Sequence, residues 1–172
     1  MPVNVEIKAS VRDSARMKVL AEALTGAPAQ VIEQEDIFFA VARGRLKLRI
    51  FSSDSGELIY YERDDQAGPK QCRYSIFRTS DPESLRAVLS LSLRVRGIVR
   101  KRRILYMAGQ TRIHLDEVEG LGSFAELEVV MRTDQSRAEG IRIARELMAQ
   151  LEIGDSDLIE QAYIDLLLAS AR

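Results

Sequence analysis

Carboxylates and cations recur two residues apart along this chain, the spacing that sets side chains on one face of a β-strand. Glu126 and Glu128 flank Leu127, Arg112, His114 and Asp116 alternate with Ile113 and Leu115, and Lys101 stands two before Arg103. Glu6 and Lys8 make the same step near the N-terminus, as do Arg45, Lys47 and Arg49 further on. Neighbouring carboxylates repel, which is tolerable in water or around a cation. Hard divalent ions such as Mg²⁺ take one or two protein carboxylates and leave the other positions to water and substrate phosphates. Cations on one side of a site and carboxylates on the other therefore suit a phosphate chain bridged to a metal.

The elements that must hold these groups read mostly as strands. Residues 3–11 alternate Val5, Ile7, Ala9 and Val11 against Asn4, Glu6, Lys8 and Ser10, as a strand with one apolar face should. Strands are also expected at 30–41, 45–51, 57–63, 72–77, 95–106, 110–118 and after the Gly120-Leu121-Gly122 turn, with Asp54-Ser55-Gly56 as a hairpin turn and 64–70 as a loop. Asp13 caps a helix bearing Met17, Leu20, Ala21 and Leu24, and Asp81-Pro82-Glu83 starts another running to about Leu91. A third helix follows with Asp134 as its cap, and a last one, capped by Asp155 or Ser156, carries Ile159, Ala162, Tyr163 and Leu166. Roughly eight strands, mostly consecutive, with roughly four helices imply an α+β protein with a largely antiparallel sheet.

Composition narrows the function classes. A chain of 172 residues suits one domain spanning 1–172, and 46% hydrophobic with 30% charged residues describes a globular rather than a disordered protein. The net charge of -1 gives no overall pull toward nucleic acid or anionic membrane, so any basic site is local. The single Cys72 excludes a disulfide within the chain and any cysteine metal cluster, and reads as inert packing. Without an apolar leader or a run approaching 18 apolar residues, the expected location is cytoplasmic, with no membrane partner. The basic run from Arg94 to Arg103 has little aromatic interleaving, so nucleic acid is not an expected partner either.

Charge is sorted by strand face. In this register one face collects Lys8, Arg45, Lys47, Arg49, Arg63, Arg73, Lys101, Arg103 and Arg112, nine cations, against the four carboxylates of Glu6, Asp116, Glu126 and Glu128. An ordinary solvated sheet face would carry Thr and Tyr among its charges, whereas here Lys or Arg recurs on almost every strand. So many like charges together repel unless an anion binds among them, and a sheet rolled with this face inward makes a polyanion tunnel.

At these residues the sequence resembles the CYTH superfamily, the triphosphate tunnel metalloenzymes that include class IV adenylyl cyclases and thiamine triphosphatases. The family's Glu-x-Glu-x-Lys signature corresponds to Asn4-Val5-Glu6-Ile7-Lys8, with Asn in place of the first Glu. Leu46-Lys47-Leu48-Arg49-Ile50, Lys101-Arg102-Arg103, Arg112-Ile113-His114-Leu115-Asp116 and Leu121-Gly122-Ser123-Phe124-Ala125-Glu126-Leu127-Glu128 extend the resemblance over almost the whole chain.

The resemblance implies an eight-stranded antiparallel β-barrel with helices packed outside and a triphosphate bound inside. The nine cations above would grip phosphate oxygens, and Glu6, Asp116, Glu126 and Glu128 would hold Mg²⁺ or Mn²⁺, with Glu6 or Glu126 deprotonating the attacking water. The implied activity is a metal-dependent phosphohydrolase acting on tripolyphosphate, ATP or thiamine triphosphate. An adenylyl cyclase releasing cyclic AMP and pyrophosphate is the first alternative; a binding protein without turnover, suggested by Asn4, is the second. A homodimer stays open.

Overall fold

Period-two alternation builds a closed barrel in the computed structural model, which describes residues 1–171. The strands are β1 (Val3–Ser10), β2 (Gln30–Phe39), β3 (Arg45–Ser52), β4 (Ser55–Arg63), β5 (Lys70–Thr79), β6 (Val95–Ala108), β7 (Thr111–Val118) and β8 (Gly122–Val130). They follow one another around the barrel as β1-β5-β4-β3-β2-β6-β7-β8, every pairing antiparallel, and β8 closes on β1 through Glu6↔Glu128 and Lys8↔Glu126.

The barrel inverts the usual arrangement, with its apolar face outward under helices and its charged face inward. Ile7, Ile113, Ala125 and Leu127 are fully buried against Met17 and Ala21 of α1 (Ser14–Thr25) and Leu147, Met148 and Leu151, the last just past the end of α3 (Arg137–Gln150). Ile37, Phe39 and Leu48 lie under Leu85 and Leu89 of α2 (Pro82–Ser92). Each such aliphatic side chain contributes about 1.5–3 kcal/mol on burial. These packed strips lock the register, because a one-residue slip would turn every charge into the core.

The fourth helix, α4 (Tyr163–Ser170), closes one end of the barrel. Tyr163 and Ile164 pack among Phe38, Val99 and Phe124. A Cβ on Gly97 of β6 would come within 2.6 Å of Ile164 Cδ1, so glycine there permits the close approach. The strap before α4 is tied to β1 by a Leu158↔Ala9 bridge and by the Ile159 N–H donating to the Lys8 carbonyl at 2.9 Å.

Two helix starts differ from expectation. Ser136, not Asp134, caps α3, since Glu139 three residues on completes a reciprocal capping box with Ser136. Asp155 and Ser156 belong to a short 3₁₀ turn, Asp155–Asp157, and α4 begins only at Tyr163, because residues 158–161 run extended beneath the barrel.

Candidate active site

The inward residues of the eight strands line one cavity of about 250 Å³. Lys8, Lys47, Arg49, Arg63, Lys101, Arg103 and Arg112 reach it, as do Glu6, Glu126 and Glu128. Three of the expected residues do not. Arg73 is exposed, because in β5 the inward parity falls on Lys70 and Cys72. Arg45 is drawn to the closed end by Asp65 at 2.8 Å and Asp165 at 3.2 Å. Asp116 is wholly buried but engaged on every side: Arg103 donates to its two oxygens at 2.7 and 2.6 Å, Lys101 at 3.3 Å and the Tyr163 hydroxyl at 2.9 Å. Asp116 therefore fixes Arg103 and Lys101 in place.

The fold also brings in residues outside the expected phosphate and metal set. Asp36 of β2 accepts from Lys47 at 2.8 Å and from Arg49 at 2.7 and 2.8 Å, doing for β3 what Asp116 does for β6. Burial would raise its pKa, but Arg49 and Lys47 outweigh that and hold it well below the carboxylate range. Lys70 donates to the carbonyls of Gln66, Ile159 and Glu160, securing the strap before α4. The Tyr163 ring lies 3.8 Å from Lys8 Nζ and 5.0 Å from Lys101 Nζ, a floor of cation–π contacts beneath the charged band.

The carboxylates divide into two kinds. Glu126 accepts from Arg103 at 2.6 Å and lies 3.3 Å from Lys8; burial would raise its pKa, but Lys8 and Arg103 keep it well below the ordinary value. Among the described residues, Glu128 has Arg112, at 3.7 Å, as its one Lys or Arg ion-pair partner. Burial, with Glu6 and Glu126 nearby, raises its pKa against the pull of Arg103 and Arg112. Glu6 is held by Arg63 at 2.8 Å.

His114 completes a possible ligand set with these carboxylates. Its Nδ1 is buried without a hydrogen-bond partner and lies 3.9 Å from both Glu126 Oε2 and Glu128 Oε1. Ligand atoms of the three residues fall within 4.8 Å of one another, wider than the separations of about 3–4 Å that bonds of about 2.1 Å to one ion impose, so the side chains would have to draw together around it. Burial, then Arg103, pushes the imidazole well below its usual pKa, so it is neutral at physiological pH, the form that ligates.

Two lysines of the band titrate early. Burial, only partly offset by Glu126, lowers Lys8 to about 8, and burial together with Arg49 lowers Lys47 to about 8 against the pull of Asp36. The affinity of the free protein for a triphosphate is expected to fall as pH rises through about 8, where both lose their charge. Stability should move oppositely. Each folded-state value lies below the ordinary 10.5, so from about pH 8 upward the unfolded chain binds more protons and the fold gains. Titration calorimetry and thermal melts at about pH 7.5 and about pH 9.5 should give weaker binding and a higher Tm at the alkaline end; binding that strengthens would contradict the assignment.

A closed antiparallel barrel with a cationic interior, a carboxylate–imidazole cluster and a helix across one end defines the class of tunnel-shaped phosphate-binding proteins. The CYTH domain model matches residues 3–163, and the chain belongs to that family. It is 26% identical to a candidate adenylate cyclase of Methanocaldococcus jannaschii over 95% of this chain and 98% of that protein. Among solved structures it is similar to the PH1012 protein of Pyrococcus horikoshii, 27% identical with a TM-score of 0.84 over 95% of this chain and 98% of that one. It shares its fold with HpAC1 of Hippeastrum, 18% identical with a TM-score of 0.62 over 100% and 97% of the two chains, a candidate adenylyl cyclase described as having a dominant triphosphatase activity.

Proposed function

We propose that this protein is a divalent-metal-dependent phosphohydrolase that removes the terminal phosphate of a triphosphate held inside the barrel. The observation that carries the reading is the convergence of Lys8, Lys47, Arg49, Lys101 and Arg103 with Glu6, Glu126, Glu128 and His114 on the lining of a single cavity. A divalent cation on His114, Glu126 and Glu128 would add Lewis-acid charge at phosphoryl oxygens opposite the cationic strands.

The remaining work falls to the chain's own groups. Asp36 and Asp116 orient Arg49, Lys47, Arg103 and Lys101, so these donors meet the charge that develops on the equatorial oxygens without rearranging. Glu6, cross-strand to Glu128 and facing the same volume, orients the attacking water and takes its proton. As the water oxygen bonds to the terminal phosphorus in line, the bond to the bridging oxygen breaks and its electron pair leaves with the diphosphate portion.

The carboxylates of this set suit Mg²⁺ or Mn²⁺. Incubation with either metal and, separately, tripolyphosphate, ATP and thiamine triphosphate is expected to release orthophosphate. In wild-type protein loaded with Mn²⁺, pulsed electron paramagnetic resonance should detect ¹⁴N coupling from His114; its absence would remove the imidazole from the set. The similarity to a candidate adenylate cyclase supports the alternative, and cyclic AMP with pyrophosphate from ATP would replace the hydrolase by that reading. Binding without any product would favour the non-catalytic reading, for which Asn4 in the signature speaks.

A further inference from the structure

β5 outreaches one of its two neighbours. It pairs with β4 from Cys72↔Arg63 to Thr79↔Gly56, but β1 meets its other side only from Glu6↔Lys70 to Val3↔Arg73, after which the Tyr74 N–H donates to the Pro2 carbonyl at 3.3 Å. Backbone groups alternate sides along a strand, so those of Ile76 and Arg78 point at an open edge. No described residue pairs with them there. Phe77 between them is 63% exposed. Such edges are ordinarily blunted by proline, lysine or a bulge. Residues 74–79 hold no proline or lysine, their register with β4 is unbroken, and Arg78 leans on Glu57 at 3.4 Å. The outer flank of α2 extends the apolar ground. Arg86 turns one flank of that helix to Glu35 of β2. Val88 and Leu91, about 160° and 140° around the helix axis from Arg86, stand on the flank nearer β5 and are 62% and 90% exposed.

We propose that this edge is the contact between two copies of the chain, their β5 strands paired antiparallel across a two-fold axis at Phe77. In that register the edge is complementary to itself. Phe77 faces Phe77, Ser75 faces Thr79, and Ile76 exchanges both backbone bonds with Arg78 of the second copy. The two aromatic rings meet in a non-hydrogen-bonded pair, where Cα atoms are about 4.5 Å apart. Carried outward, the same register sets the exposed Arg73 opposite Asp81, at the acidic start of α2. Neighbouring registers lose these matches: an axis at Ile76 sets Phe77 against Ser75, and an axis at Arg78 opposes two guanidinium groups. A contact of this kind uses up both open edges and closes on itself. The second copy is therefore the occupant that the edge fits.

Sedimentation velocity on the full chain across a dilution series is expected to show a reversible dimer. Phe77→Asp, which opposes two carboxylates on the axis, should weaken it by about a hundredfold or more, and Arg73→Glu, which opposes Asp81, by about tenfold. Both side chains are exposed outside the barrel, so the far-UV circular dichroism of each variant should match the wild type. The register is tested by cross-linking. Phe77→Cys should oxidise to a covalent dimer, its Cα spacing falling within the range of about 4.4–6.8 Å that a disulfide accepts. Ser75→Cys, about 13 Å along the strand from its counterpart, should not, and the native Cys72 is buried. A monomer at every concentration overturns the contact. So does a dimer that Phe77→Asp leaves intact, or a Phe77→Cys protein that does not cross-link. None of these outcomes bears on the phosphohydrolase reading, which the product assay decides separately.

Discussion

Replacing Arg103 by Met is expected to destabilise the fold by about 3–5 kcal/mol. The guanidinium donates to Asp116 at 2.7 and 2.6 Å and to Glu126 at 2.6 Å, so one side chain neutralises parts of two buried carboxylates. Removing it leaves Asp116 to Lys101 and the Tyr163 hydroxyl, and Glu126 to Lys8. A buried anion stripped of its partner costs far more than the pair contributed, because its desolvation is no longer offset. Urea unfolding should report it as a midpoint lowered by about 1–2.5 M, taking a slope of about 2–3 kcal/mol/M. Arg103→Lys keeps the charge but loses the fork that spans both carboxylates, and should recover only part of the loss. A change below about 1 kcal/mol in the Met variant would mean that the inner network is too wet to matter.

Glu128→Gln should do the reverse, abolishing turnover while sparing the fold. Among the described residues its one Lys or Arg ion-pair partner is Arg112 at 3.7 Å, and its neighbours Glu6 and Glu126 repel it. Neutralising it should therefore leave stability level or slightly raised. Turnover should fall by about 10²–10³-fold, the loss usual when a group acting directly on the reacting charge is removed. Kinetics and thermal melts on the same preparation separate the two effects. A variant that melts normally and still cleaves at more than about a tenth of the wild-type rate would take Glu128 out of the catalytic cluster.

The barrel was legible because its evidence is local. Alternation around Glu126 and Glu128, or along Lys47 and Arg49, declares both the strand and the face, and helix caps at Asp13 and Asp81 are written within three residues of the elements they start. Arg73 was misplaced because the 64–70 loop conceals where β5 begins, and one residue of parity exchanges Arg73 for Lys70 and Cys72. The start of α4 escaped for another reason: residues 158–161 are held extended by Lys8, Arg63 and Lys70, partners about ninety to a hundred and fifty positions away. Asp36 sits off the charged face in the linear reading, and only closure of the barrel sets it against Lys47 and Arg49, as it sets Asp116 against Arg103. His114 is read easily as a lone structural histidine, and only the pairing of β7 with β8 sets it opposite Glu126.

The helix across the barrel end also governs the order of events. With Tyr163 and Ile164 filling that end, reactant and products share a single doorway. On the phosphohydrolase reading proposed above, the terminal phosphate would go in first and lie deepest, so after cleavage it would be boxed in behind the larger fragment and leave last. Orthophosphate should then inhibit against the substrate competitively, as the occupant of the emptied protein, while the diphosphate fragment is the one whose escape gates each cycle. A chain of many phosphates could be shortened only from its tip, one visit at a time, and never drawn through.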